Sequence, residues 1–261
     1  MPPLKLKRVV GKPNYGGCKP VWVIADDGKE YLLKFRQDEF EKDISNFNEV
    51  LGYGLDKALE LNLSPQQIRL IEISEEDLPL FQTKLIDYES IEFAKKSIGL
   101  NIAIEKIPFV QKVDFVDIAV TCKKIANLDN IILNTDRTEW NSNILYNTDI
   151  SKYCVIDYGM ALVDHRIYNA LKNGEDISQC LMLLKECDAT KSGFYLLKNQ
   201  SKIGFGKSFQ ECYDIVSEII QACPSDWEPM AYASEITDLI ACRIVNKLLF
   251  KNGPCECGLL I

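Results

Sequence analysis

Residues 134–143 read N-T-D-R-T-E-W-N-S-N, and residues 155–162 read V-I-D-Y-G-M-A-L. The first run sets Asp136 ahead of Asn141 in a D-x₄-N spacing. The second delivers Asp157 at the end of a short apolar stretch. These groups are the ones phosphoryl transfer from ATP requires. A carboxylate must meet the attacking hydroxyl, and oxygen ligands must hold Mg²⁺ against the phosphates. Asp136 suits the first task, as the group that accepts or orients the proton. Asn141 and Asp157 suit the second, as metal ligands. Singly, each has a plainer use, because Asn and Asp often shape loops by bonding nearby backbone. The combination of D-x₄-N, a following hairpin and Asp-x-Gly is what points to chemistry.

Other residues join this set on weaker grounds. Arg137 has two open roles: neutralising charge on the transferred group, or pairing with a carboxylate to fix the loop. Asn143 is an alternative metal ligand or a loop-stabilising amide. Lys34 ends an apolar strand, where a surface lysine is the commoner meaning; Glu49 on the next helix offers it an ion-pair partner that would hold the ammonium at nucleotide phosphates. Gly16-Gly17-Cys18 lies between the first two strands. Glycines there let backbone N–H groups approach phosphate closely, though a Gly-Gly pair is usually a plain turn. His165, the single histidine, lies outside the motifs and is expected to be structural or exposed.

The elements that must position these groups follow from pattern. Strands are expected over 4–10, 21–25 and 31–35, with a D-G hairpin turn at Asp27-Gly28. An amphipathic helix is expected over 43–62, where Phe47, Val50, Leu51, Leu55, Ala58 and Leu59 recur at helical spacing. Strands over 68–73 and 80–86, a short helix over 90–97 and a strand over 99–104 come next, the last leading to a hinge near 105–108. A helix over 114–133 runs into the Asn134 loop. Two short strands, 143–146 and 152–156, form the hairpin before Asp157. Helices are expected over 166–172, 177–186, 208–222 and 231–250. A strand-rich first third followed by a helix-rich remainder is α+β.

Composition narrows the partners. The chain has 261 residues, 47% hydrophobic and 26% charged, with a formal net charge of −8 and a pI near 4.9. An acidic surface argues against nucleic acid and anionic membrane. The start lacks an apolar signal segment and no run reaches membrane-span length, so a cytoplasmic protein is expected. Ten cysteines are scattered without C-x-x-C pairing, as small buried hydrophobes in a reducing compartment.

Taken together, the chain resembles the HipA-like kinase family. The resemblance rests on Gly16-Gly17-Cys18, Asp27-Gly28, Leu32-Leu33-Lys34-Phe35, Asn48-Glu49, Gly99-Leu100-Asn101-Ile102, residues 134–145 and residues 156–162. It runs in order from about residue 5 to 165. The Asn134 loop is also similar to that of type II phosphatidylinositol 4-kinases. The resemblance implies a two-lobed protein-kinase-like fold, with a strand-rich N-lobe over 1–107 and a helical C-lobe over 108–261. Residues 166–261 form a helical extension without a placed motif. It implies ATP and Mg²⁺, with Lys34 on the phosphates, Asp136 as the catalytic Asp, and Asn141 and Asp157 on the metal. On the reading of the residues themselves, Gly16, Gly17 and Glu49 join Lys34 as nucleotide-side candidates, and Arg137 and Lys34 join Asp136 as catalytic candidates. Cys18 and Tyr158 depart from the family pattern, which has a small hydroxyl residue and a His there.

Three functions compete. The first is a protein Ser/Thr kinase, which by family inference acts in a toxin–antitoxin or stress setting with an antitoxin or regulatory partner. The second is another transferase on the same fold, moving AMP or phosphorylating a lipid or small molecule; the acidic surface disfavours lipid. The third is a nucleotide-binding pseudokinase, against which the retention of Lys34, Asp136, Asn141 and Asp157 argues.

Overall fold

The computed structural model describes residues 2–13, 19–37, 43–108, 110–112, 119–137, 141–177 and 205–246. They fall into two compact units. One comprises Met1–Asn46 and Pro65–Pro108, the other Phe47–Ser64 and Phe109–Ile261.

The first unit is built on alternation. In β2 (Val21–Ala25) the residues Val21, Val23 and Ala25 are buried, while Trp22 and Ile24 are half-buried. In β3 (Glu30–Lys34) Tyr31 and Leu33 point inward. This period of two is that of a strand with one face on a core. The turn between them uses Gly28 at φ 83°, a backbone state that glycine adopts without strain. Asp27 accepts bonds from the Lys29 amide at 3.0 Å and the Tyr31 hydroxyl at 2.7 Å. With β1 (Leu4–Gly11), β4 (Ile68–Ile73) and β5 (Gly99–Glu105), these strands form a closed barrel in the order β1-β2-β3-β5-β4. The closing pair is parallel, Leu4 opposite Ile71 and Lys5 opposite Glu72. Sequence pattern placed the strands but not this closure.

The strand expected over 80–86 is not formed. Ser74 opens a 3₁₀ turn (Glu75–Asp77), its amide donating to the Asp77 carboxylate at 2.8 Å. A four-residue helix α2 (Leu78–Phe81) follows, with Pro79 in its first turn. Proline lacks an N–H for a sheet ladder but fits a helix start. Phe81 is buried against Phe35 at 6.0 Å between ring centroids, while Leu80 and Leu85 are exposed. Helix α3 (Tyr88–Lys96) is capped by Asp87, which accepts from the Ser90 amide; that bond helps draw the Asp87 pKa down to about 2.

The second unit holds α1 (Ile44–Ala58) from Phe47 onward, α4 (Ala119–Ile132), and a three-stranded sheet ordered β6-β7-β8. Here β7 (Ile144–Asn147) and β8 (Lys152–Val155) are the expected hairpin, and β6 (Val110–Lys112) is an unforeseen third strand. Short α5 (Ala161–Asp164) and α6 (Arg166–Asn173) lead away from it. Helix α7 (Phe209–Gln221) starts with a capping box between Ser208 and Glu211, a reciprocal closure of otherwise unpaired amides. A 3₁₀ turn (Glu228–Tyr232) precedes α8 (Ala233–Asn246). The helix expected over 177–186, the start of the one over 114–133 and the end of the one over 231–250 lie outside the described residues. Cys154, Cys212 and Cys223 are buried free thiols, and burial pushes the Cys223 pKa up to about 12, so these three serve as small hydrophobes. Among the described residues, no helix is long and apolar enough to cross a membrane.

Candidate active site

The Asn134 loop is fixed from the end of α4. Leu133 turns the chain out of the helix at φ 58°. The Asn134 amide donates to the Asp129 carbonyl at 2.8 Å, and its side-chain Nδ2 to Asp129 Oδ1 at 3.1 Å. The Asp136 amide then donates to Asn134 Oδ1 at 3.3 Å. Arg137 Nε meets Asp129 Oδ2 at 2.8 Å in a pair shielded from solvent on both sides. Arg137 Nη1 reaches the carbonyls of Ser142 (3.0 Å), Asn143 (3.0 Å) and Ile156 (3.2 Å). Of the two roles open for Arg137, this geometry supplies the loop-fixing one: the residue is 4% exposed and its guanidinium spans both motif segments. Burial opposes its charge, yet Asp129 leads the influences that hold its pKa above the ordinary value.

That scaffold presents Asp136. Its Oδ2 accepts from Asn141 Nδ2 at 2.9 Å and from Asn143 Nδ2 at 3.0 Å. Burial raises the Asp136 pKa, and the charge of Asp157 raises it further, while the two amides act in the opposite direction. Asp136, Asn141 and Asn143 are therefore one cluster, with Asp157 close enough to be felt. Asp157 and Asn143 both have positive φ, 63° and 48°, a backbone state non-glycine residues hold at a cost. The Ile156 amide donates to the Asn143 carbonyl at 2.9 Å and so ties the two segments together.

Helix α1 holds the backbone around Asp157. Glu49, fully buried, accepts from the Tyr158 amide at 3.1 Å. Asn48 Nδ2 donates to the Gly159 and Ala161 carbonyls at 2.9 and 3.0 Å. The Tyr158 ring lies on α1 over Gly52, where an added Cβ would fall 2.3 Å from the ring's Cγ. Tyr53 meets it edge-on at 5.1 Å, and the Arg137 guanidinium sits 5.5 Å from its centroid. Tyr158, where the family pattern has His, is thus a packing residue.

Lys34 belongs to the first unit and Glu49 to the second. Lys34 is 8% exposed, with β5 alongside it opposite Ile102 and its carbonyl accepting from Asn46 Nδ2 at 3.3 Å. Just beyond, Asn101 Oδ1 accepts from the Arg36 amide at 2.7 Å, which fixes the path out of β3. Gly16 and Gly17 lie outside the described residues. His165 is buried at the start of α6 in a left-handed conformation, φ 70°, in line with a structural role. Sequence reasoning missed Asp129 and the tethering roles of Asn48 and Asn101. An aspartate eight positions before Arg137 on the preceding helix was the available signal for the first.

Among the described residues, no group of three or more His, Cys, Asp or Glu could hold a metal ion by itself. The side chains of Asn141 and Asp157 carry hard oxygen atoms, of the chemical kind that a divalent cation with water and phosphate ligands takes.

A family model described as HipA-like kinase matches residues 6–252. No curated protein matches the chain. Among solved structures, that of the Helicobacter pylori proinflammatory kinase CtkA is similar with a TM-score of 0.52 and 12% identity, covering 95% of this chain and 96% of that one. That of the Golgi casein kinase has a TM-score of 0.50 and 11% identity, covering 97% of this chain and 73% of that one. Such identities speak to fold alone: a protein-kinase-like fold of mixed helix and strand.

Proposed function

This chain belongs to the HipA-like kinase family, and from that premise we propose that it transfers the γ-phosphoryl group of ATP, with Mg²⁺, to a Ser or Thr hydroxyl of a protein. The observation that carries the proposal is the Asp136 carboxylate, held by two amides on one oxygen beside a second carboxylate. That hold leaves the other oxygen of Asp136 to accept or orient the proton of an attacking hydroxyl. Its raised pKa, caused first by burial and then by the charge of Asp157, makes it a better proton acceptor than an exposed aspartate. Asn141 and Asp157 would hold Mg²⁺. Once bound, the ion neutralises charge on the phosphate oxygens. Lys34 is assigned to those phosphates, and Gly16 and Gly17 to close backbone approach. Glu49 is assigned to the nucleotide side as well, in addition to its bond to the Tyr158 amide. The two units correspond in this reading to the lobes of a kinase.

The test is labelling. The purified protein is incubated with Mg²⁺ and host lysate, with γ-labelled ATP in one arm and α-labelled ATP in the other. Label from γ alone, recovered as phosphoserine or phosphothreonine, is the expected result. Label from α would mean nucleotidyl transfer. Label in lipid or in a small molecule would reassign the acceptor. ATP binding without label in either arm would make the protein a pseudokinase.

A further inference from the structure

Arg243 lies in the last turn of α8, more than a hundred residues beyond the α4 carbonyls that it meets, and is 6% exposed. Its Nε donates to the carbonyls of Asn130 at 2.9 Å and Ile131 at 3.1 Å, and its Nη2 also donates to Asn130. These carbonyls belong to the last turn of α4, which ends at Ile132. The last four carbonyls of a helix have no partner within it, and the helix dipole makes that end negative. A buried guanidinium answers both needs. The same helix end anchors the motif loop. Asp129, adjacent to Asn130, receives the Asn134 amide, the Asn134 side chain and Arg137, and Asn134 in turn holds the Asp136 amide.

We propose that Arg243 is a positioning residue for the Asp136 loop: by clamping the Asn130 and Ile131 carbonyls it sets the orientation of Asp129, from which Asn134, Arg137 and hence Asp136 take their places. The proposal rests on the assignment of Asp136 to the chemistry. It gives part of the C-terminal region, which carries no motif, a stated task. Because the carbonyls that Arg243 holds lead through Asp129 to Asp136, its loss should act on turnover and spare nucleotide affinity.

The test compares full-length Arg243→Met and Arg243→Lys with the wild type, using Mg²⁺-ATP hydrolysis and amide hydrogen exchange. For Arg243→Met the expected result is a kcat lowered by about tenfold or more, with the KM for ATP within about threefold. The protected amides of residues 133–136 should exchange at least about tenfold faster, with α7 unchanged. Arg243→Lys keeps the charge but has no fork to span two carbonyls, so it should recover part of both losses. Unchanged loop exchange, or equal acceleration through α7, α8 and the loop, would overturn the proposal. So would a rise in KM without a fall in kcat. If the Met variant does not fold, the exchange pattern of Arg243→Lys decides, with acceleration confined to the loop expected and uniform or absent acceleration overturning. A wild type that turns over no ATP would count against the kinase assignment, and the exchange measurements would still judge Arg243.

Discussion

Asp136 carries opposite demands for catalysis and for stability, and both can be measured. As a base or orienter it acts mainly in the transition state. Asp136→Asn should therefore lower turnover by roughly 10²–10⁴-fold with little change in ATP affinity. Its raised pKa has a second consequence. Between the ordinary aspartate value and the raised one, the folded state binds more protons than the unfolded state, so this group makes stability fall as pH rises. Asp136→Asn should then melt above the wild type near neutral pH. The gap should close as pH drops through the raised pKa, as thermal unfolding at several pH values will show. A variant less stable than wild type at neutral pH would contradict the buried, charge-crowded environment given to Asp136. Arg137 behaves differently. Arg137→Met leaves Asp129 buried without its cation and should cost about 3–5 kcal/mol, the usual penalty for breaking a buried pair from one side. Denaturant unfolding measures that directly. A near-neutral result, with activity lost, would return Arg137 to the phosphoryl group.

At the scale of elements, α1 is the piece whose sequence was legible in existence but not in purpose. Its apolar spacing announced a helix, and Glu49 suggested an ion pair with Lys34. Pattern could not reveal that Asn48 and Glu49 tether the backbone after Asp157, because that bond is to main-chain atoms of a segment 109 or more residues away. The D-x₄-N loop was legible because its chemistry lies in its own residue types and spacing. Its support from Asp129 was less so, since a buried aspartate on a helix looks like any polar position. Two glycines on α1 give a paired test. An alanine Cβ at Gly54 would meet Ile219 Cγ2 at 2.5 Å on α7, a side-chain atom. At Gly52 it would meet Tyr158 Cβ at 2.6 Å as well as the ring. Overpacking of this kind costs about 1–3 kcal/mol. Adding Ile219→Ala should restore Gly54→Ala, because the clashing atom is removed. Adding Tyr158→Ala should not restore Gly52→Ala, because Cβ remains and the backbone beside Asp157 must move. Turnover should accordingly fall further for Gly52→Ala than for Gly54→Ala at equal loss of stability. Equal rescue of both would show that α1 does not set the Asp157 segment.

At the scale of the whole chain, the first 165 residues announced their order through motifs, and the rest announced only helices. The physical reason is that α7 and α8 contribute burial, and burial needs apolar residues at a period but no particular residue at a particular place. The family model extends that order to residue 252. The contacts agree that these helices are not an appendage. Trp227, Ile236, Leu239, Ile240 and Ile244 are each 2% exposed or less, α8 packs on α7 and on α4, and Ile219 of α7 lies over Gly54 of α1. Five such side chains, at about 1.5–3 kcal/mol each, contribute on the order of 10 kcal/mol. Marginal stability totals only about 5–15 kcal/mol for a whole domain. A chain ended at residue 177 should therefore lose cooperative folding of α4 and the β6-β7-β8 sheet as well as its own C-terminal helices. Far-UV circular dichroism with a thermal scan and limited proteolysis will report it. A truncated chain that keeps a sharp unfolding transition and resists cleavage across residues 119–155 would mean that the C-terminal helices form a separable domain. Arg243 would then be a dispensable cap on α4.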